Sequence, residues 1–178
     1  MSPGATADKP SRMIAVSNTT PLRYLLAIGQ QDLLRKLFDR ILIPAAVFEE
    51  LTAIHTPAIV RDAVSSSSEW IEIREATSIP SAPPLVLLHR GERQAILLAE
   101  AVQPDFLLLD DKAARAEALR RGLPLSGTLG VLERSDALGY THDFPETLKR
   151  LKTSGFFLSP SLEKLLLARH KIRRAKST

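Results

Sequence analysis

Oxygen-bearing side chains recur in this 178-residue chain where short apolar runs stop. Val16-Ser17 leads to Asn18, and Ile41-Leu42-Ile43-Pro44 leads to Glu49-Glu50. Gly91-Glu92 opens an apolar-periodic stretch, and Phe106-Leu107-Leu108-Leu109 ends in Asp110-Asp111. Carboxylate and amide oxygens are the donors that hard cations such as Mg²⁺ prefer. Val47, Glu50, Leu51 and Ile54 follow the i, i+3, i+4, i+7 spacing, which puts Glu50 on an apolar helix face and turns Glu49 away. Glu92, Ala95, Ile96 and Ala99 repeat it, so Glu92 heads a buried stripe. An inward carboxylate is unfavourable unless it is paired or binds a cation. Few basic residues share those two faces, which leaves a metal ion as the simplest partner.

Each residue also has a plainer role. Asn18, Asp110 or Asp111 can cap the helix that follows. Glu92 suits a first helical turn through the helix dipole, and Glu49-Glu50 suits a solvated face. Singly, these roles are at least as good as ligation; the joint arrival of all four positions at one end of one sheet favours the metal.

Other chemistries lack their residues. There is no cysteine, and His55, His89, His142 and His170 are too scattered for a zinc site. No phosphate-binding glycine loop or dinucleotide fingerprint occurs. Ser126-Gly127-Thr128-Leu129-Gly130 lacks the Gly-x-Ser-x-Gly order of a nucleophile elbow. No apolar run approaches the ~18 residues of a membrane span, and residues 1–12 lack a signal-peptide core, so a cytoplasmic protein with a disordered N-terminal tail is expected. The sequence pI of 9.6 is misleading as a nucleic-acid signal. Arg169, Lys171, Arg173, Arg174 and Lys176 supply five charges, without which the net +4 becomes −1. A solvated, frayed tail is the expectation for them.

The elements that must position the oxygens alternate in type. Strands are expected at Met13–Ser17, Ile41–Ile43, Phe106–Leu109 and Pro124–Ser126, with a half-wet edge strand at Trp70–Ile73. Helices are expected after Asn18, from Asp32, from Pro44 through Ile54, from Pro57, and over 91–102, 112–121, 128–138, 143–154 and 161–174. Ser65–Ser68 reads as a loop, and the prolines of Ile79–Pro84 exclude regular structure there. Strands alternating with helices imply a parallel sheet covered on both faces, with ligands beyond the strands' carboxyl ends.

Five short motifs, in order, resemble a PIN-like domain. They are Val16-Ser17-Asn18-Thr19-Thr20-Pro21-Leu22; Ile43-Pro44 with Val47 and Glu49-Glu50-Leu51; Gly91-Glu92 with Ala95-Ile96 and Leu98-Ala99; Leu107-Leu108-Leu109-Asp110-Asp111 with Arg115; and Gly127-Thr128-Leu129-Gly130-Val131-Leu132. The set resembles a prokaryotic branch related to VapC-type toxin ribonucleases. The resemblance implies an α/β/α sandwich around a parallel sheet of four to five strands, spanning residues 13–158, followed by a C-terminal helix and basic tail over 159–178.

It further implies a Mg²⁺- or Mn²⁺-dependent endoribonuclease. The acidic positions of the family fall on Asn18, Glu50, Glu92 and Asp111, with Asp110 competing for the last, and Thr19 or Thr20 supplies a small hydroxyl. In that scheme Glu50, Glu92 and Asp111 are ligands, Asn18 orients a water, and Thr128, Lys112 or Arg115 contacts substrate phosphates. For the two basic residues a solvated helix face is the stronger competing role. RNA is the expected substrate, a small antitoxin protein the expected partner, and a homodimer the expected assembly. The stripe Leu162, Leu165, Leu166 and His170 suits a dimer, although packing onto the parent domain is the plainer role. Asn18 departs from the family's aspartate and brings no charge, so the alternative is a catalytically impaired module that binds RNA or an antitoxin-like protein.

Overall fold

The computed structural model describes residues 13–76, Leu85 and 87–176. Five strands form one parallel sheet: β1 (Ile14–Ser17), β2 (Arg40–Ile43), β3 (Ile71–Ile73), β4 (Phe106–Leu108) and β5 (Leu125–Ser126), in the order β3-β2-β1-β4-β5. Their register sets Val16 beside Leu42 and Leu107, and Leu108 beside Ser126. The order changes direction at β1, so the strand leading to Asn18 lies between those leading to Glu50 and Asp111. Open sheets of this type bind ligands at such a switch point.

Nine described helices cover the sheet: α1 (Thr19–Ala27), α2 (Gln31–Leu37), α3 (Ala45–Thr52), α4 (Ala58–Ser65), α5 (Arg90–Val102), α6 (Lys112–Arg120), α7 (Thr128–Ala137), α8 (Phe144–Thr153) and α9 (Pro160–Lys176). The strand pleat sorts apolar residues into two cores. Ala15, Ile41, Ile43 and Leu108 face a core with α1–α4 and α7–α9. Val16, Leu42 and Leu107 face a smaller one with Ala95, Ile96 and Ala99 of α5 and Ala114 and Ala118 of α6. The result is the three-layer α/β/α sandwich. None of the described helices is long and apolar enough to cross a membrane.

Local departures from expectation have physical causes. Helix α3 stops at Thr52, where the Thr56 hydroxyl donates to the Glu50 carbonyl at 2.8 Å and closes the last turn. Ile54 therefore leaves the expected apolar stripe and is 88% exposed. Edge strand β3 buries Ile71 but leaves Ile73 exposed, so its alternation is incomplete. The helix expected over 161–174 runs from Pro160 to Lys176, and its basic residues are docked rather than frayed. Asp136, buried on α7, holds it: His170 Nδ1 lies 2.8 Å and Arg173 Nη2 2.6 Å from its carboxylate. Leu166 buries alongside, while Leu162 and Leu165 of the expected stripe face outward. Residues 1–12 and the stretch Ile79–Pro84 lie outside the described residues.

Candidate metal centre

Asn18 stands at the N-cap position of α1 with extended backbone, and its N–H donates to the Leu108 carbonyl at 3.1 Å. Its side chain makes no capping bond, which leaves the amide of a nearly buried residue turned toward the sheet's carboxyl edge. Gly91, in the first turn of α5, lets that amide approach Glu50. A Cβ there would lie 3.2 Å from both Asn18 Oδ1 and Glu50 Oε1, so the two oxygens flank a single point. The Glu50 side chain is exposed rather than inward, and it accepts a hydrogen bond from the Thr19 hydroxyl. Glu49 points elsewhere and pairs with Arg90 at 2.9 Å.

Glu92 is 7% exposed and accepts the His89 N–H at 3.1 Å. Burial pushes its carboxyl above the usual range; the His89 N–H opposes this, and the charges of Asp111 and Glu50 push it further up. Asp111 caps α6, with Oδ1 accepting the Ala114 N–H at 2.9 Å. Among the described residues, Glu50, Glu92 and Asp111 have no lysine or arginine ion pair. Glu92 feels the charges of both Asp111 and Glu50, yet no three His, Asp or Glu side chains among the described residues converge at ion-binding distance. The donor chemistry nevertheless fits a hard divalent cation: oxygen ligands, with Glu92 repelled by two neighbouring carboxylates and relieved only in part by His89.

Asp110 sits differently. Both of its oxygens accept from Thr128, and Arg115 donates through Nη1 to the carbonyls of Leu109 at 2.7 Å and Ser126 at 2.9 Å. Burial raises the Asp110 carboxyl, opposed by the Thr128 bonds and the Arg115 charge. These contacts lock the ends of β4 and β5 to α7. Gly127 is needed between them, because a Cβ there would come 2.6 Å from Asp110 Oδ1 and 2.9 Å from the Leu109 carbonyl. Lys112 is exposed at the start of α6.

A cleft of about 560 Å³ opens over Asn18, Glu50 and Glu92. Thr19, Thr20, Arg23 and Tyr24 form one side, and His55, Thr56, His89 and Arg90 complete its lining. Sequence reasoning missed these cationic and imidazole side chains. Arg23 could have been found, since it follows Thr19 by four residues and Thr20 by three, on one face of α1. His55 and His89 lie outside regular elements, where periodicity carries no signal. Asp111, Lys112, Arg115 and Thr128 are not among the lining residues described, although the charge of Asp111 reaches Glu92.

Comparison with known proteins agrees with this architecture. A family model described as PIN domain matches residues 14–171, which takes in most of α9. Among solved structures, a PilT N-terminus domain protein from the hyperthermophilic archaeon Sulfolobus solfataricus P2 is similar in fold, with a TM-score of 0.51 at 16% identity. The alignment covers 74% of this chain and 98% of that one. No curated protein matches. With the matched segment spanning every strand and the whole cleft, this chain belongs to the PIN-domain family.

Proposed function

We propose that this protein hydrolyses RNA phosphodiester bonds with Mg²⁺ or Mn²⁺ bound by Glu50, Glu92 and Asp111. One observation carries the reading: the buried Glu92 carboxyl is pushed up by the charges of Asp111 and Glu50, and among the described residues none of the three forms a lysine or arginine ion pair. When bound, the divalent ion supplies Lewis acidity that lowers the pKa of water and offsets charge on the phosphate. The chain's own groups do the rest. Asn18 offers an uncommitted amide beside Glu50, placed to orient a water, and Thr19 holds the Glu50 carboxylate toward the cleft. Asp110, with both oxygens on Thr128, keeps the strand ends in place, which leaves Asp111 as the better ligand of the two.

Incubation of purified protein with RNA and Mn²⁺, with and without chelator and beside Asp111→Ala, tests this. Metal-dependent cleavage lost in the variant is the expected result. Cleavage indifferent to both chelator and substitution would come from a contaminant and would end the proposal.

Asn18 favours a second reading, a PIN scaffold that binds RNA or a small protein without cutting. Calorimetric titration with Mn²⁺ separates the two, because a scaffold gives no saturable heat. A cytoplasmic toxin role with a small antitoxin, and a homodimeric assembly, are proposals that follow from family membership alone. A small open reading frame beside the gene, and the mass of the protein in solution, test them.

A further inference from the structure

The cleft carries cations as well as acids, and two of them differ in how they are held. Arg23 lines the cleft from α1, and among the described residues its guanidinium has no ion pair or hydrogen bond. Arg90 lines it from the first residue of α5 and is paired with Glu49 at 2.9 Å. That pair is open to solvent, with 57% of the Arg90 side chain and 59% of that of Glu49 exposed. An exposed ion pair of this kind is weak, so Arg90 can leave it for another anion with little loss. The same cleft is lined by Asn18 and by the carboxylates Glu50 and Glu92, which repel a polyanion unless nearby cations offset them.

We propose that Arg23 and Arg90 hold backbone phosphates of a single-stranded nucleic acid across the cleft, and that Glu49 competes with the strand for Arg90. Guanidinium groups suit phosphate oxygens through paired N–H donors. A cleft of about 560 Å³ is of the size that encloses a small ligand, and it fits an unstacked nucleotide better than the convex backbone of a duplex. The proposal rests on the nuclease reading for its choice of ligand, but it does not depend on cleavage.

The test is binding of a fluorescein-labelled oligouridylate, single-stranded or annealed to oligoadenylate, measured by anisotropy over a range of salt in chelator. The single strand should bind more tightly than the duplex. Arg23→Gln and Arg90→Gln should each lower affinity roughly tenfold and flatten the plot of log K against log salt by ~0.7 per lost phosphate contact. Glu49→Gln should tighten binding about two- to fivefold, and this gain should vanish when Arg90→Gln is also present. Glu69→Gln, the same charge change at the opposite end of the sheet, and Arg35→Gln on α2 control for net charge.

Arginine variants that match Arg35→Gln in affinity and slope would overturn the proposal, as would a Glu49→Gln gain no larger than that of Glu69→Gln. Mn²⁺-dependent cleavage with unaffected arginine variants sinks this inference and leaves the nuclease intact. Arginine-dependent binding without cleavage does the reverse.

Discussion

Asp110 commits both of its carboxylate oxygens to Thr128, accepting the backbone N–H at 2.9 Å and the hydroxyl at 2.6 Å. Its neighbour Asp111 uses one oxygen as a helix cap and shares its charge with Glu92. The two adjacent aspartates should therefore separate on substitution. Asp110→Ala leaves a buried N–H and hydroxyl unpaired and should destabilise the fold by ~1–3 kcal/mol in urea titration. Asp111→Asn keeps the cap and should change stability by less than about 0.5 kcal/mol, while losing the heat of Mn²⁺ binding. The reverse pattern would reassign the ligand to Asp110.

Glu92 is a carboxylate held where its charge is unfavourable. Because its folded pKa is raised, the folded chain keeps that proton to higher pH than the unfolded chain does. Its contribution to stability is thus greatest below the ordinary carboxyl value and is lost as pH rises through the raised one. Glu92→Gln should melt higher than the wild type without metal at neutral pH, and the two should converge in acid. Added Mn²⁺ should raise the wild-type Tm and leave the variant unmoved. A variant that melts lower at neutral pH would mean that the His89 contact outweighs desolvation.

The two glycines beside the acids should respond differently to alanine. At Gly127 the new methyl meets Asp110 and a backbone carbonyl that cannot yield, so a loss of ~1–3 kcal/mol is expected. At Gly91 it meets the side-chain oxygens of Asn18 and Glu50 at 3.2 Å, which can shift, and a methyl of the buried Val47 at 3.3 Å. Gly91→Ala should fold nearly as well as the wild type but displace Asn18 and Glu50, and so lose more metal-dependent cleavage than stability. Equal effects of the two substitutions on melting would contradict this division.

How far the sequence exposes this arrangement varies by residue. The apolar runs ending in Asn18 and in Asp110-Asp111 mark the sheet and its carboxyl edge, since buried parallel strands read as continuous apolar stretches. The helical spacing also turns Glu50 and Glu49 to different partners, Thr19 and Arg90. It overestimates the burial of Glu50, because the end of α3 depends on Thr56 from the following loop. The division of labour between Asp110 and Asp111 is not legible locally, as it is fixed by Thr128, far along the chain. Arg115 likewise reads in sequence as part of a solvated helix face, with a phosphate contact as the sharper alternative, but in the fold it donates to two strand-end carbonyls. The frayed tail fails for the same reason: nothing adjacent to Arg173 reveals that Asp136 awaits it.

That Asp136 contact should decide whether α9 stays docked. Its carboxylate, 1% exposed, faces both His170 and Arg173, and Phe144 stacks on the His170 ring at 5.3 Å. Removing the buried anion takes from the His170 ring its partner at 2.8 Å and from Arg173 its contact at 2.6 Å, while Arg173 keeps Glu133 at 3.5 Å. Breaking one side of a buried ion pair typically destabilises by ~3–5 kcal/mol. Asp136→Ala should therefore lose stability on that scale and release α9 to trypsin at Arg169, Lys171 and Arg173, whereas the wild type resists. Glu133, 23% exposed and 3.4 Å from Arg169, belongs to the same surface but remains hydrated, so Glu133→Ala should lose no more than about 1 kcal/mol. If both variants melt alike and digest alike, the tail is held by Leu166 and its apolar neighbours, and the charge cluster is incidental to docking.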